Sequence, residues 1–456
     1  MVSLPTNRAS HTKERRNNQI TYAASDKVKA NVKIWAVRIA LLLGISIASI
    51  YRIQQAWNMW DSYTIYAILM PIYTLAALSI RTKIFVTAWT LYKNPACGGS
   101  VGTDLVSVII PVYNQNDLIK NVIEAIYEST YKNIEVIVVN DGSNDGTKDI
   151  LDNIAKKYHN LKIIHKKREG KRNAIATGFY ASTGKYIISQ DSDCIIDNNA
   201  ISEFMKAFRA NPNTGSLTGQ IKIWNTKNNN YEHNNFLNNL QDSNAGTSCN
   251  IHKASESSFK SVLCSSGAIS AFRRDAISDL MHYWSNTNTY GGGSIDREMS
   301  SHSLRSWESY YVSSAIVYDA MQPTLKRYIK QQIRWRIGFL RSNINNLRNT
   351  SFQGRKNVIT SLLYHCNFIA GLSMPLITLT VLFYEPFVLR NFYLPLAYVM
   401  ILLLWGLVSG LDMKFREPNR KSWKYQPFMA LFSNFVLSWL LFPALWNYKK
   451  NSWLTR

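Results

Sequence analysis

The segment KYIISQDSDCII, residues 185–196, is an apolar strand that runs into two carboxylates one residue apart, Asp191 and Asp193, and then turns apolar again. A buried carboxylate without a partner is costly, so this pattern predicts acids at an exposed strand end, on a bound cation, or both. The same grammar recurs upstream. LVSVIIPVY (105–113) reads as a buried strand, NDLIKNVIEAIYEST (116–130) sets Leu118, Val122 and Ile126 on one helical face, and IEVIVVN (134–140) reads as a second strand. A helix near 145–157, the strand LKIIH (161–165), a helix near 170–182 and the strand KYIIS (185–189) complete the series. Strands alternating with helices predict an α/β fold with a doubly wound parallel sheet. Ligands of such sheets bind outside the carboxyl ends of the strands.

That rule makes the strand ends informative. NDGSNDGT (140–147) follows the second strand and sets Asp141 beside Gly142 and Ser143, where an acid can accept hydrogen bonds from a base or ribose. The fourth strand ends in Asp191 and Asp193, so both acid clusters converge on one crevice. Between them KKREGKRNA (166–174) supplies Lys166, Lys167, Arg168, Lys171 and Arg172 in a turn and helix start, suited to a diphosphate. Alone, each feature is an ordinary turn or solvated loop; in this order they point to a nucleotide diphosphate with a divalent metal. Asp193 is the expected oxygen ligand of Mg²⁺ or Mn²⁺, with Asp191 facing the ribose or the donor sugar.

Charge and hydropathy locate the rest. Among 456 residues, Lys and Arg outnumber Asp and Glu by 52 to 29, a net charge of +23. The excess collects beside apolar runs of membrane length. Residues 34–54 and 63–80 form two such runs before the α/β region, 358–383 and 392–411 form two after it, and 425–446 forms a fifth interrupted by Pro427 and Pro443. Arg8, Lys13, Arg15, Arg16, Lys27, Lys29 and Lys33 precede the first, while Lys414, Arg416, Arg420, Lys421 and Lys424 follow the fourth. By the positive-inside rule, the N-terminus, the α/β region and that later loop are cytoplasmic, and the chain is an integral protein of the plasma membrane. A cleaved signal peptide fits poorly, because 33 residues precede the first run. Nucleic-acid binding is not indicated, since no zinc finger, RNP-like aromatic pattern or helix-turn-helix accompanies the charge. The five cysteines form no C-x-x-C or disulfide framework and read as reduced thiols. The expected organisation is a basic tail at 1–33, membrane helices within 34–83, a catalytic domain at 105–320, amphipathic interfacial helices at 321–350, a membrane region at 358–446 and a cytoplasmic tail at 447–456.

Eight motifs in order carry a resemblance: VSVIIPVYN, VVNDGSNDGT, GKRNA, DSD, GQIKIWN (219–225), VLCSSGAISAFRRDAI (262–277), SIDRE (294–298) and QQIRW (331–335). Together they resemble the membrane-integrated, inverting glycosyltransferases with a GT-A catalytic domain, particularly hyaluronan, chitin and related polysaccharide synthases. The resemblance runs from residue 105 to about residue 341 and on into the C-terminal membrane region. It implies that Pro111, Tyr113 and Asp141 line the uridine side of a UDP-sugar, that Lys167, Lys171 and Arg334 meet phosphate, that Asp191 meets the donor, and that Asp193 holds the metal. It further implies that Asp296 is the catalytic base and that Cys264, Ser266, Gln331 and Trp335 line the acceptor site. At the end of the chain, Trp453, Thr455 and Arg456 match a Trp-x-Thr-Arg element that in such enzymes closes over the nucleotide. Gln331, Arg334 and Trp335 are also spaced to share one helical face, as an interfacial amphipathic helix with ordinary Trp and Arg anchors would have them.

Two positions depart from the pattern: Ile295 stands where a second acid is expected, and Ala268 where a proline is expected. The first leaves Asp296 as the one candidate base and implies altered acceptor-site electrostatics. The asparagine-rich block 225–250 reads as a solvated helix and loop, with an acceptor contact as the second reading. The function implied is transfer of sugar from a UDP-sugar to a growing polysaccharide, which the membrane helices help to export. Its rivals are a non-processive transferase acting on a lipid or lipid-linked acceptor, and a transporter or scaffold with a degenerate transferase domain.

Overall fold

The computed structural model describes residues 91–224, 235–286, 295–348 and 358–448. The two N-terminal apolar runs and the tail bearing Trp453 and Arg456 lie outside the described residues.

Four strands and three helices alternate as the apolar periodicity predicts: β1 (Val106–Val112), α1 (Ile119–Tyr127), β2 (Ile134–Asp141), α2 (Thr147–Ala155), β3 (Leu161–Lys166), α3 (Lys171–Ala181) and β4 (Tyr186–Gln190). They form a parallel β3-β2-β1-β4 half-sheet. The chain continues through β5 (Cys194–Ile196), α4 (Ala200–Ala210), β6 (Thr214–Trp224), α5 (Phe236–Thr247), a π-helical turn (Ser248–Lys253), α6 (Ala254–Ser258), β7 (Ile269–Arg273), α7 (Ser278–Asn286), α8 (Ile295–Ser303) and β8 (Glu308–Ala320). These strands extend the sheet to the order β3-β2-β1-β4-β7-β6-β8-β5. Here the fold departs from a uniformly parallel sheet: β7 is antiparallel to both β4 and β6, and β5 is antiparallel to β8. A mixed sheet of this kind tolerates the short β5, which needs no crossover helix to pair with β8.

Both faces of the sheet are buried at β1, β2 and β4, which is why these strands are mostly apolar. Alternate residues of β1 serve opposite cores: Val108 and Ile110 pack with Phe204 and Phe208 of α4, while Ile109 packs with Ile175 and Phe179 of α3 and with Phe272. The second core also contains Trp284, Met299 and Ile295, the last 5% exposed. The position where a second acid was expected is therefore an apolar core position in this chain.

Beyond β8, α9 (Leu325–Arg348) is one 24-residue helix carrying Gln331, Arg334 and Trp335. Three helices follow that are long and apolar enough to cross a membrane: α10 (Val358–Phe387), α11 (Tyr393–Arg416) and α12 (Lys421–Trp446). Their outward residues include Leu376, Phe383, Leu396, Leu404 and Phe442, all exposed, as lipid-facing positions would be.

The join between the α/β domain and the apolar C-terminal helices is polar and buried. α5 is not the solvated helix expected of an asparagine-rich block: Asn238, Asn239, Gln241 and Asp242 are all buried. Burial is tolerated because partners are supplied. Gln241 exchanges two 3.0 Å hydrogen bonds with the backbone of Gln322. Asp242 accepts a bidentate pair from Arg420, at 2.9 Å from Nε and 2.6 Å from a terminal nitrogen, and a further bond from Ser422. Arg420 also donates to Glu417 at 3.1 Å. Burial alone would raise the Glu417 carboxyl, but Arg420 and Lys222 hold it below its usual range. Arg420 is thus no solvated membrane anchor. At the far end of α12, Arg341 of α9 donates to the Tyr448 carbonyl at 3.0 and 2.7 Å. α9 itself lies on α8, with Arg297 over the Phe339 ring at 5.1 Å.

Removing one member of such a network strands a buried charge, at a cost of roughly 3–5 kcal/mol. Arg420→Ala is therefore expected to lower the melting temperature of the purified protein markedly, and Arg420→Lys to recover only part of it, because an ammonium lacks the planar fork. Unchanged melting of Arg420→Ala would show that the network does not hold the two regions together.

Candidate active site

The parallel strands aim their carboxyl ends at one crevice, and each delivers part of its wall. β2 ends at Asp141, which is buried and accepts the backbone N–H of Glu169 and of Gly170, both at 2.8 Å. The acid thereby fastens the basic turn before α3. Gly170 has φ +97°, a left-handed conformation that glycine adopts without steric cost. On this turn Arg168 lies over the Tyr113 ring at 4.0 Å and donates to its hydroxyl at 2.9 Å. Tyr113 and Arg168 form a planar ledge beside Asp141, Lys167 stands exposed on the same turn, and Pro111 is buried in β1 behind it.

The acids after β4, Asp191 and Asp193, are half-buried, more open than Asp141. Asp191 receives Lys171 at 2.5 Å. Burial works against the Lys171 charge, yet Asp191, Asp296 and Asp193 together hold its ammonium well above the ordinary range. Lys171 is thus the counter-ion of a carboxylate cluster. Asp191 and Asp296 share one wall: a β-carbon added to Gly267 would lie 2.9 Å from a carboxylate oxygen of each. Asp296 is half-buried in the first turn of α8. Burial pushes its carboxyl upward and Asp191 adds to this, whereas Lys171, Lys253 and Arg334 pull it back. A carboxylate raised in this way is a better proton acceptor than a solvated one.

A third acid joins the cluster. Asp319, at the end of β8, pairs in register with Cys194. Ligand atoms of Asp193, Cys194 and Asp319 all lie within 4.8 Å of one another. Burial and the charges of Asp193 and Asp191 push the Asp319 carboxyl up to about 8. Carboxylates crowded until one keeps its proton fit a hard divalent cation, which takes oxygen ligands and relieves their repulsion. The Cys194 thiol is pushed up by burial and by the same acids, and hard cations prefer oxygen to a soft thiol, so Asp193 and Asp319 are the fitting ligands of the three. The strand AIVYDA (315–320) repeats the pattern of an apolar run ending in an acid, the signal by which Asp319 was legible and was missed.

The loop before β7, which carries Gly267, continues this wall. The Ser265 N–H donates to Ser300 Oγ at 2.7 Å, and that hydroxyl donates to the Asp296 carbonyl at 2.7 Å, tying the loop to α8. The Ser266 N–H donates to Thr218 Oγ1 at 3.1 Å. Lys253, 7% exposed at the end of the π-helical turn, donates to the Ser266 hydroxyl and to Thr218 Oγ1. No motif marks Lys253 in the sequence. Cys264 lines the same loop, its thiol pushed up by burial. From α9, Arg334 acts on Asp296 and Trp335 is 50% exposed, so the indole has an open face. Gln331 is half-buried one turn away.

With this geometry in place, the comparisons are direct. Residues 107–281 match the family model described as glycosyl transferase family 2. The chain is 25% identical over 234 residues to a poly-beta-1,6-N-acetyl-D-glucosamine synthase of Staphylococcus epidermidis, covering 51% of this chain and 54% of that protein. It is 28% identical over 241 residues to an N-acetylglucosaminyltransferase of Azorhizobium caulinodans, covering 51% and 59%. A hyaluronan synthase of Streptococcus pyogenes is 24% identical over 362 residues, covering 77% of this chain and 83% of that protein. The chain thus spans little more than half the length of the first two relatives. Among solved structures, a mannosyltransferase from Pyrobaculum calidifontis in complex with GDP-Man and Mn²⁺ superposes with a TM-score of 0.53 at 16% identity, over 92% of this chain and 100% of that one. The fold is that of a GT-A glycosyltransferase. The matched region is similar to glycosyl transferase family 2 domains and to polysaccharide synthases.

Because the folded-state value of Asp319 lies above the unfolded value of about 4, metal-free stability falls as pH rises from about 4 through about 8. A divalent cation competes with that proton. Mn²⁺ is therefore expected to raise the melting temperature more at pH 8 than at pH 5.5, and Asp319→Asn to flatten the difference; equal shifts in the parent at both pH values would exclude Asp319.

Proposed function

We propose that this protein is a membrane-bound, inverting glycosyltransferase that adds sugar from a UDP-sugar to a growing polysaccharide on the cytoplasmic side and helps to export it. The observation that carries the reading is the shared wall at Gly267, where Asp296 and Asp191 meet beside Lys171. Asp296 takes the proton of an acceptor hydroxyl, the oxygen attacks the anomeric carbon, and the bond from that carbon to the diphosphate breaks. One base and no enzyme nucleophile make this a single displacement, with inversion at the anomeric centre. Lys171 and Arg334 receive the charge that develops on the leaving diphosphate. Mg²⁺ or Mn²⁺, held by Asp193 with Asp319, supplies charge neutralisation of the diphosphate when bound.

Around the reacting atoms, Asp141 with the Tyr113–Arg168 ledge takes the uridine, Pro111 backs it, and Lys167 and Asp191 complete the donor side. Cys264, Ser266, Gln331 and Trp335 take the acceptor, the indole by stacking on a pyranose face. The solved mannosyltransferase with GDP-Man and Mn²⁺ supports a nucleotide-sugar donor and a divalent metal. The relatives named for N-acetylglucosamine make UDP-N-acetylglucosamine the first donor to test.

Export is supported by the ties between the acceptor loop and α10. Ser261 and Thr360 share a hydrogen bond of 2.6 Å, the Tyr364 hydroxyl donates to the Leu263 carbonyl at 3.4 Å, and Asn367 donates to Glu256 at 3.2 Å. Product leaving Asp296 along this loop meets the membrane helices directly.

Asp296→Asn is expected to bind UDP as the parent does while transfer from UDP-N-acetylglucosamine falls by roughly two to four orders of magnitude, the usual worth of a general base. More than a tenth of parental turnover would assign the proton to another group.

The tail is proposed to be cytoplasmic, with Trp453 and Arg456 closing over the nucleotide. The bonds from Ser422 to Asp242 and from Arg341 to Tyr448 support α12 as a re-entrant or interfacial segment whose ends return to the catalytic side. A cysteine at Ser452 is expected to resist labelling by an impermeant maleimide in sealed cells and to react after lysis. Labelling from outside would reverse this topology.

A further inference from the structure

Of the polar groups outside the catalytic crevice, the buried network around Glu417 reaches furthest. Glu417 is the residue after α11, 6% exposed. Besides Arg420, its Oε1 accepts the amide of Gln220 at 3.0 Å and that of Asn250 at 2.7 Å. Gln220 belongs to β6 and Asn250 to the π-helical turn, so one membrane-loop carboxylate holds two elements of the catalytic domain. Asn250 lies three residues before Lys253, whose ammonium reaches Ser266 and acts on Asp296. π-helical turns are rare and are found frequently at functional sites.

We infer that Glu417 and Asn250 are positioning residues of the transferase: the loop between α11 and α12 holds the π-helical turn at Asn250, and thereby sets Lys253 against the acceptor side of the crevice. This rests on the proposed reading of Asp296 and the Ser266 loop as the acceptor side. Coupling runs through a bonded chain, Glu417 to Asn250 to Lys253 to Ser266, with one covalent step of three residues. The arrangement makes acceptor use sensitive to the membrane loop while the donor side, built on Asp141, Tyr113 and Lys171, is not attached to it. It also gives Glu417 a use beyond pairing Arg420, whose guanidinium Asp242 already engages with both oxygens.

The test uses the full chain in detergent, with UDP-N-acetylglucosamine as donor and N-acetylglucosamine as acceptor. Asn250→Ala removes the strut and leaves the Arg420–Asp242 pair in place. It is expected to raise the acceptor KM on the order of tenfold, the effect of losing one hydrogen bond to a charged group, with donor KM and UDP affinity unchanged and the melting temperature lowered less than by Arg420→Ala. Asn250→Gln, with a longer amide, is expected to recover part of the loss. In a Lys253→Met background, Asn250→Ala is expected to add nothing further, since both act through the same ammonium. Additive losses in that cycle, or an unchanged acceptor KM in active Asn250→Ala, would overturn the inference. Loss of UDP binding together with acceptor use would also overturn it, by showing that Asn250 holds the fold alone. A parent protein that binds UDP and folds but transfers no sugar would instead overturn the proposed function.

Discussion

The site depends on the crowding of four carboxylates, Asp191, Asp193, Asp296 and Asp319, answered chiefly by the half-buried ammonium of Lys171. The sheet creates this excess by ending apolar strands in acids at one edge. Lys171 answers part of it, at 2.5 Å from Asp191. The remainder shows in the raised carboxyls of Asp296 and Asp319, each pushed upward by burial first and by its acidic neighbours next. Two chemical capacities follow from one imbalance. An acid that keeps proton affinity is a competent base, and a cluster short of positive charge is a competent cation site. A donor diphosphate brings yet more negative charge, so the basic turn fastened by Asp141 belongs to the same electrostatic balance.

Much of this was legible in the sequence because strand ends are read in order. The periodicity of 105–189 marked the four parallel strands, and the acids at 141, 191 and 193 marked their common edge. Asp319 was equally visible as the end of an apolar run, but no neighbouring acid drew notice to it. Lys253 was not legible: its significance comes from a π-helical turn that swings it to Ser266 across a gap in sequence. The mixed half of the sheet escaped for a related reason, since β5 has three residues and β7 five, too few to show a period. Trp335 and Gln331 were readable as helix-mates of Arg334, whose guanidinium acts on Asp296.

The asparagine-rich block shows where composition misleads. Polar residues in a helix are ordinarily solvated, and the charge rule reads basic residues after a membrane helix as facing water or lipid headgroups. Here the two sets meet each other. Asp242 and Arg420 satisfy one another at 2.6 and 2.9 Å, so neither surface is a free one. Arg420 lies beside the α/β domain because it is bonded to Asp242, not because water solvates it there.

Ile295 bears on how the base works alone. Read from sequence, the missing acid implied a change in acceptor-site electrostatics. In the fold, residue 295 points among Trp284 and Met299 in the second core, away from the crevice that Asp296 enters. The cation over that core, Arg172 at 5.8 Å from the Trp284 ring, is already paired with Glu298 at 2.6 Å. A carboxylate at 295 would be buried without a counter-charge, and the isoleucine instead anchors the first turn of α8 by packing. The substitution therefore exchanges an unpaired buried charge for a fixed helix start, and a fixed helix start is what holds the adjacent Asp296 against Gly267 and Lys171.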